Sequence, residues 1–225
     1  MPPSEKSLSE VIRDRRATAS YESQPVAEGD LKRILSAGLH APSGYNLQPW
    51  RFVVVRDPEQ RKKLRAAAMG QPKVEEAPVI IVACGDPAGW RNGDLDAMLK
   101  LAEAHGYGGA AEHAMVREAV PGLLGGTPGS AGGLAPDLAV WVNRQVMIAF
   151  THMMLRAEAL GYDTAPMEGF FEDKVKALLH IPEPVRVVAL LAVGKRKGEK
   201  KPFSGRFEMA RTVFGEEWDK PLNLA

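Results

Sequence analysis

Three short stretches of this chain carry residue types that could do chemistry. In the first, Arg13, Arg15 and Arg16 stand beside Thr18 and Ser20. Guanidinium groups spaced this way can fork onto a phosphate or a ring carbonyl, or can form an ordinary solvated basic face. The second is Ala41-Pro42-Ser43-Gly44-Tyr45-Asn46-Leu47-Gln48-Pro49-Trp50, where prolines, small residues and amides sit just ahead of an apolar run. Side-chain amides pair with the donor and acceptor edge of a heterocycle, and so many constrained residues together suggest a backbone held in one shape for a ligand. The third is Ala165-Pro166-Met167-Glu168-Gly169-Phe170. Read as a helix start, it either offers free backbone N–H groups to an electron-rich ligand atom or is a plain N-cap.

Other catalytic patterns are missing. His40, His105, His113, His152 and His180 show no metal-ligand spacing, and His152 reads as a hydrogen-bonded core residue inside an apolar helix. No Gly-x-Ser-x-Gly elbow occurs, and the glycines of Gly106-Tyr107-Gly108-Gly109 do not follow a strand, as a dinucleotide fingerprint requires. The glycine-rich stretch 125–133 lacks the Gly-Lys-Ser/Thr of a P-loop and reads as a mobile loop or lid. Cys84, the one cysteine, lies in Val79-Ile80-Ile81-Val82-Ala83-Cys84 and reads as core.

The elements that must position these stretches follow from periodicity and capping. Ser7 with Glu10 fits a capping box for a helix to about Arg15 or Arg16, which delivers arginines to its C-terminal end. Asp30 is expected to cap a helix carrying Leu31, Ile34, Leu35 and Leu39 as far as Pro42. Strands are predicted at 52–55, 78–84 and 185–193, and helices at 59–69, 94–104, 109–119 and 171–180. The stretch from Asp137 to Leu160 is apolar nearly all round and predicts a buried central helix.

The 225 residues, 45% of them hydrophobic and 25% charged, suit one domain over 1–225 with a well-buried core and a variable, lid-like insertion at about 86–135. A net charge of +1 offers no general pull on nucleic acid or acidic membrane. With no signal-like N-terminus and no bilayer-length apolar run, the expectation is a cytoplasmic protein. The segment after Gly194 has few core residues of its own and is expected to reach across to a partner subunit.

Together the three stretches resemble the FMN-dependent nitroreductase family. Arg15-Arg16-Ala17-Thr18-Ala19-Ser20-Tyr21 is similar to that family's Arg-Arg-Ser-x-Arg-x-Phe opening, and Ala41 to Trp50 resembles its Ala-Pro-Ser-x-x-Asn-x-Gln-Pro-Trp motif nearly letter for letter. Pro166-Met167-Glu168-Gly169-Phe170 is similar to the segment lying against the flavin's reactive edge, and Ala77-Pro78 also fits. Coverage runs from about residue 8 to 206, loosely at 86–135.

The resemblance implies an α+β fold, a mixed, largely antiparallel sheet wrapped by helices. It implies an interlocked homodimer with C-terminal tail exchange and FMN bound between the subunits. In that arrangement Arg15, Arg16 and Ala17 lie along the phosphate and ribityl chain, and Pro42, Ser43, Gly44, Asn46 and Gln48 approach from the partner subunit. Gln71 and Lys73 reach the pyrimidine edge, where a cation favours negative charge near N1 of reduced flavin. Backbone around Pro166, Met167, Glu168 and Gly169 faces the N5 and O4 region, and either Lys201 or Arg206 completes the phosphate site. Ala17 and Ala19 replace a serine and a basic residue common in the family, which either lowers flavin affinity or is offset by Lys73.

The implied activity is hydride transfer from NAD(P)H through flavin to a small organic acceptor, a nitroaromatic or a quinone, by a ping-pong mechanism. Trp90, Met98, Tyr107 and Met115 would form an aromatic and thioether wall around the acceptor, or simply a helical core. Flavin fragmentation, reductive dehalogenation and redox sensing without turnover are the alternatives the family fold leaves open.

Overall fold

A computed structural model describes residues 5–125, 138–222 and 224. Its elements in chain order are α1 (Leu8–Asp14), α2 (Glu28–Leu39), β1 (Trp50–Val55), α3 (Pro58–Ala67), α4 (Pro72–Glu76), β2 (Val79–Gly85), α5 (Leu95–Ala104), α6 (Ala110–Leu124), α7 (Leu138–Ala159), β3 (Asp163–Met167), α8 (Glu172–Leu179), β4 (Arg186–Gly194) and α9 (Met209–Thr212). The four strands form one sheet in the order β1-β2-β4-β3, every neighbouring pair antiparallel. The parallel component is a single isolated bridge between Ala17 and Thr164.

Strand alternation divides the core in two. Val79, Ile81 and Ala83 face α2 and α7 together with Ala189, Leu191 and Val193. Ile80, Val82 and Cys84 face the other way, with Leu190 and Ala192, onto Leu64, Val74 and Val175 of α3, α4 and α8. Both faces are covered, which is why β2 reads as an unbroken apolar run. Burial pushes the Cys84 thiol up to about 12, so it stays an inert core group.

α7 is the central support. Val142, Val146, Ala149, Phe150 and Met153 are buried against the sheet and α2, and half-buried His152 bonds the Ala37 carbonyl through Nδ1 at 3.3 Å. Phe150 is 1% exposed, so Phe150→Ala is expected to lower unfolding stability by about 3–5 kcal/mol through lost burial and an unfilled cavity. Urea titration checks it; a loss below about 1 kcal/mol would mean the core collapses around the site.

Several sequence expectations are corrected. α1 stops at Asp14 with Arg15 as its C-cap, although the capping box at Ser7 and Glu10 is present. Asp30 does not cap α2, which starts at Glu28; the Asp30 carboxylate instead accepts the Tyr162 hydroxyl at 2.9 Å, a tertiary bond that outcompetes the local cap. α3 ends at Ala67 rather than 69, because Met69 and Gly70 take left-handed φ of 54° and 72°. α6 runs on to Leu124, its Pro121 falling in the last turn.

The largest correction concerns 163–167, which is not the approach to a helix start. It is a strand, and Pro166 is tolerated there because β3 is the sheet edge, where a missing N–H disturbs little. Glu168 and Gly169 therefore follow a strand, and α8 begins only at Glu172. The predicted glycine-rich loop lies almost wholly outside the described residues.

Candidate functional site

The arginines following α1 are laid along the β3 edge. The Thr18 N–H donates to the Thr164 carbonyl at 3.1 Å, extending the bridge at Ala17, and this fixes Arg15 and Arg16 next to the strand that ends in Met167. Arg13 points away, exposed and paired with Asp14 at 2.9 Å. Ser20 is likewise engaged elsewhere, its hydroxyl donating to Glu76 at 2.6 Å.

Arg15 Nη1 and Arg16 Nε are buried without a hydrogen-bond partner. Leaving charged donors unsatisfied is costly, and an anion at this position would satisfy both. Burial lowers the Arg15 pKa; Glu158 opposes that shift, while Arg206 and Arg16 add to it. The guanidinium of Arg16 lies 4.6 Å over the Phe203 ring and that of Arg206 5.3 Å from it. The tail thus brings Arg206 to the arginines, with Phe203 as the shared platform.

A second cation group lies beside the first predicted set. Lys73 is half-buried near the start of α4, and burial first and Lys201 second lower its pKa. The two tail candidates lie near different cations, Arg206 near Arg15 and Arg16 and Lys201 near Lys73. Gln71 Nε2 donates to the Gly169 carbonyl at 2.8 Å, and the Phe171 N–H donates to the Ala67 carbonyl at 2.8 Å. These bonds bind the turn at 68–71 to the segment 168–171, so Gln71, Lys73 and Pro166 to Gly169 form one continuous surface. Pro166 and Glu168 are exposed there, and Met167 is buried beneath them.

The remaining predicted residues are elsewhere. Pro42, Ser43, Gly44, Asn46 and Gln48 lead into β1, the opposite edge of the sheet from β3. Among the described residues no hydrogen bond or ion pair joins this loop to Arg15, Arg16, Gln71, Lys73 or Pro166 to Gly169. The loop is strained: Tyr45, Asn46 and Gln48 have φ of 51°, 53° and 47°. Such conformations persist only where surroundings fix them, and they cluster at ligand sites.

What fixes the loop is visible. The Gln48 N–H donates to Ser43 Oγ at 3.0 Å, and Gln48 Nε2 donates to the Asn46 carbonyl and Oδ1, both at 3.3 Å. The Gly44 N–H donates to Gln145 Oε1 of α7 at 2.9 Å, and a Cβ on Gly44 would come within 3.2 Å of the Trp141 ring. Sequence reasoning missed these two anchors. Their spacing of four residues on one helical face was the available signal.

Beside the loop lies a cavity of about 610 Å³ lined by Pro42, Tyr45, Met98, Tyr107, His113 and Met115 among others. Of the expected wall, Tyr107 and Met115 are exposed at 72% and 62% and border this space, and Met98 does so from a largely buried position. Trp90 packs instead against the small core of α5 and α6. A cavity of about 640 Å³ near α3 and α4 is lined by arginines that hold Glu28, Glu75 and the carbonyls of Glu75 and Ala77, with Arg61 Nε buried and without a partner.

The chain is similar to known proteins along most of its length. It is 39% identical over 199 residues to the NADH dehydrogenase of Thermus thermophilus, covering 88% of this chain and 91% of that protein. A nitroreductase-like protein from Streptococcus mutans has the same fold, with a TM-score of 0.80, 26% identity and coverage of 92% of this chain and 97% of the other. A structure from Exiguobacterium sibiricum solved in complex with FMN matches with a TM-score of 0.83 at 24% identity, covering 96% and 100%. The model of the Nitroreductase family matches residues 12–195, and the chain belongs to that family.

Proposed function

We propose that two copies of this chain enclose FMN and use it to pass reducing equivalents from NAD(P)H to a small organic acceptor. The observation that carries this reading is the pair of buried guanidinium nitrogens on Arg15 and Arg16 that have no partner, set beside the start of β3. A phosphate monoester supplies the charge and the fork geometry they lack. The NADH dehydrogenase relative and the FMN-bound neighbour agree with that choice.

Bound flavin would supply the hydride chemistry, and the chain's own residues would orient it. Arg15, Arg16 and Arg206 would hold the phosphate. Lys73, with Lys201 behind it, would set positive charge at the pyrimidine edge. The segment from Pro166 to Gly169, pinned by Gln71, would present backbone rather than a side chain to the reactive edge, so the Glu168 side chain need not do chemistry. The exposed apolar residues of α1, Leu8 at 66% and Ile12 at 62%, and of the tail, Trp218 at 82%, would be covered by the second copy. In this reading α5 and α6 cap the cavity beside the loop, and donor and acceptor use it in turn.

Protein purified with excess FMN should be yellow, and anaerobic NADH or NADPH should bleach the flavin band near the oxidised maximum, with colour returning on addition of a quinone or nitroaromatic. A colourless protein that leaves free FMN fluorescence unquenched would overturn the flavin reading. A yellow protein that neither donor bleaches would overturn the oxidoreductase cycle alone.

A further inference from the structure

Glu158 is 3% exposed in the last turn of α7, and carboxylates are almost never buried so completely without paired cations. Its Oε1 lies 2.7 Å from Lys6 Nζ and 3.8 Å from Lys200 Nζ. The Lys6 backbone adds a bond to the Ala159 carbonyl at 3.3 Å. Glu158 also acts on Arg15, offsetting the repulsion from Arg16 and Arg206. One buried carboxylate therefore receives a lysine from the segment before α1 and a lysine from the tail, and it attracts the arginine that has an unpartnered nitrogen. The other acid within reach of Lys6 and Lys200, Asp14, is taken by Arg13.

We propose that Glu158 is a positioning residue for the anion site: it fastens the N-terminal segment and the tail to α7 and so holds Arg15 aimed at a phosphate it never touches. The inference rests on the flavin reading above. Two roles for this carboxylate predict opposite signs. As a bare negative charge near a phosphate it would repel the ligand, and removing it would tighten binding. As an anchor it preorganises the cations, and removing it lets Lys6 and Lys200 leave and Arg15 recoil from its like-charged neighbours. The second role dominates here, because Lys6 in direct contact already cancels most of the field of Glu158, and Glu158 is the buried acid that ties both Lys6 and Lys200 to α7.

The test compares FMN with riboflavin, which lacks the phosphate, by quenching of flavin fluorescence on the full-length apoprotein. Glu158→Gln is expected to raise the FMN dissociation constant about tenfold and to leave riboflavin affinity within about twofold. Lys6→Met, at a position whose side chain is 39% exposed, leaves the fold intact if Glu158→Gln does not, and should weaken FMN selectively in the same way. Unchanged or tightened FMN binding, or equal weakening of both flavins, would overturn the positioning role alone. Wild-type protein that quenches neither flavin would overturn the flavin reading and this inference with it.

Discussion

Replacing Arg15 with alanine is expected to weaken FMN binding about a hundredfold while leaving riboflavin affinity nearly unchanged, because charge-assisted hydrogen bonds contribute about 1.5–3 kcal/mol each. Nη1 of Arg15 is buried without an acceptor, so the protein gains little from it until an anion arrives. Burial of its charge is the largest cost at this residue, with repulsion from Arg206 and Arg16 added against the attraction of Glu158, and relief of these costs should hold the melting temperature of the apoprotein level or raise it. That combination separates a ligand role from a structural one. Arg16 is a poorer choice for the experiment, since its Nη1 also donates to the carbonyls of Arg13 at 2.7 Å and Arg15 at 2.9 Å, and its removal would disturb the end of α1. Calorimetric or fluorescence titration of both flavins decides the matter. Equal loss of FMN and riboflavin, or a falling melting temperature with unchanged FMN affinity, would remove Arg15 from the phosphate site.

How much of this was legible in the sequence differs by element. β2 and α7 were readable because burial on all sides leaves a continuous apolar run, and α1 because Ser7 and Glu10 satisfy each other locally. β3 was hidden: it is five residues long, contains Pro166, and owes its strand conformation to pairing with β4, a partner that follows only after α8. Asp30 misled because its oxygen has a better use on Tyr162. The candidate site follows the same division. The loop 41–50 advertises itself through its prolines and amides, whereas Lys6, Lys200, Phe203 and Glu158 carry no local pattern. They become neighbours only when the N-terminal segment, the tail and the end of α7 converge. The sequence cannot separate Lys201 from Arg206 because the cations near them, Lys73 for the one and Arg15 for the other, lie far away along the chain.

Mixing two inactive variants is expected to restore flavin binding to about a quarter of the wild-type sites, as follows from random exchange of subunits in a two-fold dimer. One partner is Arg15→Ala. The other carries Ser43→Ala, Asn46→Ala and Gln48→Ala, which removes the bonds from Ser43 Oγ and Gln48 Nε2 that hold the loop. Alanine at position 46 would also have to keep φ of 53°, a region asparagine tolerates far better. The loop should then relax and each variant alone should fail to retain FMN. The reason for expecting recovery is the sheet order: β1, which the loop feeds, and β3, beside which Arg15 lies, are the two outer strands. Three strand spacings, about 14 Å, separate them within one copy. In the proposed dimer, a ligand gripped by both sets takes the loop from one subunit and the arginines from the other. In a mixed dimer one site combines both lesions and the other is wholly intact, so half of the sites in half of the dimers bind. Absorbance of protein-bound flavin after subunit exchange measures it directly. No recovery, with heterodimers demonstrated by differential tagging, would place the loop and the arginines of a single chain on separate ligands and end the shared-site reading.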